Sequence, residues 1–241
     1  MAREAVALRP APGADGGMPD PRSRAGMPDP YHYAHLLRAA KRADPGDDVM
    51  SLLMRACADD GGEVSLEEFE NLFWLFAVAG NEKVRNGIPG GMVARLADPQ
   101  PQRALRADPS LIASTVEEML RWWTPVMTFR RTATTEVSIA GQRIRAGEKV
   151  VVSFNSANRD ESVFPDPDRF EIRRYAAGSP ARPHLAFGHG PHSCLGADLA
   201  RVQMATLLEV LLARTAWLEL AGEPAYLRSN FQRGVKRLPV R

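Results

Sequence analysis

The sequence predicts a mainly α-helical fold with a small β-sheet, an α+β class. Three observations predict it. Capped apolar runs with helical spacing recur between residues 31 and 123 and again between 197 and 213. A short alternating patch, residues 132 to 153, lies between these helical blocks. A glycine-rich loop, FGHGPHSCLG at 187–196, stands directly before the last long helical pattern, ADLARVQMATLLEVLLAR.

Bulk properties bound the function. The chain has 241 residues, 44% hydrophobic and 25% charged, enough for one or two globular domains. A net charge of +2 argues against a nucleic-acid partner. Two cysteines, Cys57 and Cys194, make no disulfide framework and fit a reducing, cytoplasmic setting. The longest apolar run, Leu72 to Gly80, is nine residues, too short for a membrane span. The N-terminus shows no apolar core of a signal peptide.

In chain order, residues 1–30 hold six prolines and four glycines and read as disordered or loop. Met18-Pro19-Asp20-Pro21 recurs at Met27-Pro28-Asp29-Pro30, too short for a repeat architecture. The rest, 31–241, reads as the folded part. A helix is expected from Tyr31 to Arg42, stopped near Asp44-Pro45-Gly46. Asp47 or Asp48 caps a second helix ending near Cys57, a packing residue among alanines. Ser65 and Glu68 form a capping box. The helix behind it is apolar on nearly every side and is expected to be buried, with Pro89 kinking or ending it. Asp108-Pro109-Ser110 opens a further helix through LIASTVEEMLRWW, closed by Thr124-Pro125. Glu118 and Arg121, three apart, share a face. Taken alone, such a pair is an exposed ion pair worth under ~1 kcal/mol. Strands follow around Val137, Ile139 and Ile144 and in KVVVSFNSANRD, with turns at Gly141 and Ala146-Gly147-Glu148. A hairpin is expected in the terminal YLRSNFQRGVKRLPVR, with Asn230-Phe231 at its tip.

Cys194 sits just before, or at, a helix start. Backbone N–H groups there are unpaired and favour a thiolate. Gly188, Gly190 and Gly196 let the backbone turn tightly and approach a neighbour. A thiolate with open space on one side suits the axial ligand of a flat cofactor. Two other readings are open on these residues: a structural cysteine in a turn, and a zinc site from His189, His192 and Cys194 with a fourth ligand missing.

F-G-x-G-x-H-x-C-x-G resembles the haem-binding signature of the cytochrome P-450 family, and every fixed position is present. The resemblance runs from about Ser23 to Arg241 and corresponds to the C-terminal part of the family's domain, hence a partial cytochrome P-450 fold of the bacterial soluble type. It implies haem b as cofactor, with Cys194 as iron ligand, His192 and Arg131 on haem propionates, Phe187 beside the sulfur and Gly188 in the turn. For Arg131 the plainer alternative is a solvent-facing cation at a strand end. Glu118, Arg121 and Arg169, the last in FPDPDRF, resemble the family's buried Glu-Arg-Arg cluster that holds the cysteine loop. Ala79-Gly80-Asn81-Glu82 resembles the central-helix pattern A-G-x-[D/E]-T, but Lys83 stands where threonine belongs. Glu82 and Lys83 are therefore the expected proton-handling pair. An ammonium only donates, whereas a hydroxyl donates and accepts. Ala79, Val126, Met127 and Phe231 would line the substrate pocket; for the last three, ordinary packing is an equal alternative.

The implied activity is a monooxygenase hydroxylating a small hydrophobic substrate (a steroid, terpenoid or fatty chain) with O2 and electrons from a ferredoxin- or flavodoxin-type donor. The family's N-terminal helices have no counterpart here. Helices at 66–86 and 197–213 are therefore expected to leave apolar faces uncovered, as in a fragment, a truncated or mis-started reading frame, or half of an assembly. The alternatives are an inactive truncated remnant with weak or no haem binding, and a non-haem interaction domain.

Overall fold

A computed structural model describes residues 23–59 and 61–241. Most of the expected loop segment 1–30, with the first Met-Pro-Asp-Pro, lies outside them. Backbone contacts divide the chain into two units, Met1–Ala79 and Gly80–Arg241.

The first unit is helical. α1 (Pro28–Ala43) starts with proline in its first turn, three residues earlier than expected. In α2 (Val49–Asp59), Asp48 Oδ1 accepts the N–H groups of Met50 and Ser51, both at 3.2 Å, and so caps the helix. Lys41 Nζ lies 2.6 Å from Asp48 Oδ2 and, with Ser51, holds this carboxyl well below its usual range. α3 (Leu66–Ala97) opens on the expected capping box: Ser65 N–H donates to Glu68 Oε2 at 2.9 Å, and Glu68 N–H donates to Ser65 Oγ at 3.2 Å. Met50, Val64 and Phe69 form the buried centre, with Cys57 packed against it. α3 passes from the first unit into the second. Of the two outcomes expected at Pro89, a kink or an end, the end does not occur: the proline lies inside the helix. Contrary to expectation, the helix is not buried on every side, since Leu75 and Val78 are exposed.

The second unit holds the larger core: Met92, Leu105, Leu111, Val116, Met119, Leu120, Ile172, Met204 and Leu208. α4 (Pro99–Ala107), which the sequence reading passed over, is capped by Asp98, whose side chain accepts from Gln100 N–H at 2.8 Å. A 3-10 turn, Pro109–Leu111, leads into α5 (Ile112–Trp123), and Thr124 closes that helix in the left-handed region at φ 46°. The small sheet is three separate two-stranded ladders among the described residues. β1 (Thr128–Thr132) pairs antiparallel with β4 (Lys149–Ser153), Arg131 opposite Val150. β2 (Val137–Ile139) and β3 (Gln142–Ile144) form a hairpin whose turn residues, Ala140 and Gly141, both have positive φ. The strand expected from Lys149 ends at Ser153, where the short α6 (Phe154–Ala157) begins. α7 (Ala197–Arg214) follows the cysteine loop. β5 (Ala225–Tyr226) and β6 (Val235–Arg237) make the expected terminal hairpin. Among the described residues no helix is long and apolar enough to cross a membrane.

α7 buries Ala200, Met204 and Leu208 and leaves Leu199, Val202 and Val210 exposed. Leu195, just before it, is 84% exposed. An apolar stripe on a helix of a folded unit marks a contact surface.

Candidate functional site

The cysteine loop is a series of tight turns. Gly188 N–H donates to Leu185 O, Ser193 N–H to Gly190 O, and Cys194 N–H to Phe187 O at 2.9 Å. Gly188 and Gly190 have φ of 72° and 79°, which a residue with a Cβ adopts only with strain. A 3-10 turn, Gly190–His192, carries His192 outward. Cys194 is exposed, three residues ahead of α7. Its own N–H is used by Phe187, not by the sulfur. The Phe187 ring is aimed at the core, His184 and Arg201. Among the described residues no three or more of His, Cys, Asp and Glu gather where a metal ion would need them, which counts against the zinc alternative.

Behind this loop lies a buried charge cluster. Glu118 and Arg121 are both 0% exposed and pair face to face, Nε–Oε2 2.7 Å and Nη2–Oε1 2.8 Å. The remaining Arg121 donors reach the carbonyls of Asn158 and Pro167 at 2.8 Å and of Arg169 at 3.2 Å. All five N–H groups of the guanidinium are thus satisfied, the condition under which a burial of charge is tolerable. The third cation is Arg174, not Arg169. Arg174 Nε lies 3.1 Å from Glu118 Oε2, and its other nitrogens hold the carbonyls of Pro165, Asp166 and Arg169. The Arg169 side chain is 69% exposed and pairs with Glu171; only its backbone enters the cluster. Successive turns at Asp166–Arg169, Glu171–Arg174 and Arg173–Ala176 bring the later arginine inward. Asn158, also missed from the sequence, ties this cluster towards the loop. Its Nδ2 donates to Thr124 Oγ1, and its Oδ1 accepts Leu185 N–H at 2.6 Å.

A second group gathers Glu82, Lys83, Val126, Met127 and Phe231. Met127 N–H donates to Phe231 O at 2.9 Å, and Val126 bridges to Gln232. Lys83 Nζ stands 5.1 Å from the Phe231 ring centre and 3.4 Å from Glu82 Oε2. Gln232 Nε2 donates to Glu82 Oε2 at 2.5 Å, and Asn86 Nδ2 donates to Gln232 Oε1 at 3.1 Å. The Gln232 amide, ahead of Lys83, holds the Glu82 carboxyl below its usual range against the opposing effect of burial. Lys83 thus meets a carboxylate and a ring. Arg131 is exposed on β1; its guanidinium donates to the Arg130 carbonyl and lies near the Phe129 ring. Ala79 is exposed at the end of the first unit.

A third group is Glu117, His184 and Arg201. Arg201 clamps Glu117 through Nε and Nη2 at 2.7 and 3.1 Å. Burial works to raise the Glu117 carboxyl, but the polar contacts of His184 and Arg201 outweigh it and hold it at about 2. A depressed carboxyl contributes stability that is complete above its unfolded value, near 4.5, and is lost as pH falls towards 2. The stability gap between the protein and Glu117→Gln is therefore expected to be about 3 kcal/mol at neutral pH and to close in acid. Urea titrations at a series of pH values check this; a gap that does not narrow contradicts it.

The sequence model of the family described as Cytochrome P450 matches residues 48–232. The chain belongs to the cytochrome P450 family. A Mycobacterium tuberculosis protein named cytochrome P450 126 is 42% identical over 212 residues, 87% of this chain and 50% of the relative. Linalool 8-monooxygenase of Pseudomonas putida is 39% identical over 201 residues, 83% of this chain and 48% of that one. A crystal structure of CYP108D1 from Novosphingobium aromaticivorans superposes with a TM-score of 0.80 at 38% identity, covering 90% of this chain and 51% of that one. The chain thus spans about half the length of the cytochrome P450 relatives it matches, and its fold is a partial P450 fold. P450 proteins bind haem, and the residues here fit one. An exposed cysteine sulfur lies on a turn kept narrow by glycines, exposed Leu195, Leu199 and Val202 stand close by in sequence, and Arg131 carries no carboxylate partner among the described residues.

Proposed function

We propose that this chain is a haem-thiolate monooxygenase, or the C-terminal portion of one, that hydroxylates a small hydrophobic substrate. Cys194 would hold the iron, with Phe187 and Gly188 shaping its loop, and His192 and Arg131 would pair with the propionates, each by a charge-assisted contact. Bound there, haem supplies the reductive activation of O2. The part left to the protein is positioning. The Glu118–Arg121–Arg174 cluster holds the strand of chain that leads to the loop. Val126, Met127 and Phe231 offer an apolar wall for substrate. Glu82 and Lys83 would be the proton-handling pair, Lys83 as donor and Glu82 as the carboxylate whose Oε2 accepts from Gln232 and Lys83. Electrons would come from a ferredoxin- or flavodoxin-type donor in the cytoplasm. The relative that acts on linalool supports a terpenoid class of substrate, with steroids and fatty chains of similar hydrophobic character beside it.

The observation that carries this reading is the complete ten-residue loop with its exposed cysteine. The experiment is the absorbance of the haem-reconstituted, reduced, CO-bound chain. A strongly red-shifted Soret band is expected, absent from Cys194→Ser. An identical spectrum from both proteins overturns the reading.

Lys83 departs from the family pattern, and its contacts give the departure a consequence. A threonine hydroxyl at this position would accept as well as donate; the ammonium only donates and engages Glu82. Lys83→Thr is expected to raise the fraction of reductant consumed that appears as product. Unchanged coupling contradicts this role.

A further inference from the structure

His184 lies ten residues before Cys194 and Arg201 seven after it. Both side chains converge on one carboxylate, Glu117 of α5. Arg201 makes the two-point contact described above. His184, whose side chain is 1% exposed, places Nε2 3.1 Å from Glu117 Oε2. Its Nδ1 accepts Ala186 N–H at 3.2 Å, which leaves Nε2 as the ring nitrogen on the carboxylate side. The alignment falls short of a full hydrogen bond, and the contact is electrostatic. Both partners also bracket the Phe187 ring: the Arg201 guanidinium at 4.8 Å, the His184 ring at 5.7 Å. Phe187 in turn accepts the Cys194 N–H through its carbonyl. One anionic group therefore fixes the entry, the exit and the internal hydrogen bond of the cysteine loop. The Glu118 cluster is separate. It acts on residues 158–174 and is tied towards the loop by Asn158.

We propose that Glu117 is a positioning residue for Cys194, holding both flanks of its loop so that the sulfur keeps one place at the start of α7. For its functional meaning this rests on the haem-thiolate reading, while its geometry does not. The loop is otherwise built of turns, and the Cys194 side chain is exposed, so few packing contacts fix it. With the carboxylate gone, Arg201 and His184 lose the charged group they share and keep the Phe187 ring between them, so the two flanks are tied less tightly.

The test uses the full chain with Glu117→Gln and Glu117→Ala. In the haem-free proteins, hydrogen–deuterium exchange is expected to rise roughly tenfold or more at the amides of Gly188, Ser193 and Cys194, more for Ala than for Gln, with α4 unchanged. After reconstitution, part of the reduced CO-bound band is expected to move to the short-wavelength position of a neutral axial ligand. Unchanged loop protection overturns the proposal, and so does an increase spread evenly over α4 and the loop, which is what plain destabilisation gives. Should Glu117→Ala fail to fold, Arg201→Gln removes one arm and is judged by the same exchange measurement. If the unmodified chain shows no thiolate band, the haem reading falls while the exchange comparison still decides the role of Glu117.

Discussion

Glu118→Ala is expected to lower the stability of the second unit by about 3 to 5 kcal/mol, the cost of leaving a buried cation without its counter-charge. Arg121 is fully enclosed and keeps neutral partners, backbone carbonyls and the Phe164 ring, once the carboxylate is gone. Arg174 loses the same partner, as does the Glu171 N–H that donates to Glu118 Oε1 at 2.9 Å. Arg169→Ala supplies the contrast. Its side chain stands in water beside Glu171, so its loss is expected to change stability by no more than about 0.5 kcal/mol. Arg174→Ala should resemble Glu118→Ala. Urea midpoints read at equal m-value give the ranking; Arg169→Ala as costly as Arg174→Ala would return the third place in the cluster to Arg169.

Gly90→Ala should show the second large effect. In an ordinary helix this exchange is favourable by up to about 1 kcal/mol. Here a Cβ would lie 2.0 Å from Cδ2 and Cε2 of Trp123. Trp123 cannot move away cheaply. It is buried, its Nε1 donates to the Arg233 carbonyl at 3.0 Å, and the Arg233 guanidinium lies 4.2 Å above its ring. Overpacking therefore wins, and a loss of about 3 kcal/mol is expected. Gly80, in the same helix, has nothing within 4 Å of its Cβ position, so Gly80→Ala should stabilise. Thermal unfolding of both variants, with tryptophan fluorescence as second probe, checks the pair. A neutral Gly90→Ala would mean that the helix and the indole slide apart freely.

What the sequence made legible was local. The capping box of Ser65 and Glu68 and the Asp48 cap depend on residues two or three apart, and both stand as read. The cysteine loop was legible because its signature is a linear run of ten residues. Pairing of Glu118 with Arg121 was legible from one helical turn, but its burial came only through the resemblance, because the enclosing carbonyls come from residues 158–169. The third arginine was misplaced for a related reason. Asp-Arg-Phe-Glu-Ile-Arg-Arg offers several cations, and only the turns around Glu171 decide which one faces inward. α4 was passed over, although Asp98 followed by proline is a helix start. Pro89 failed to break α3, since one missing N–H is outweighed by a helix packed on both sides of it through Ile88 and Met92. The sheet was read as one body because alternation shows strands and not their partners.

Asn158 sets a narrow limit on sequence drift. Its amide nitrogen serves Thr124 and its amide oxygen serves Leu185, so each end has its own obligation. Leucine, of nearly the same size, would leave both neighbours stranded. Aspartate would satisfy Leu185 but set an acceptor against the threonine oxygen, whose own proton is spent on the Arg121 carbonyl. No replacement of that volume keeps both polarities, and a lineage that changes this position must rebuild the end of α5 with it.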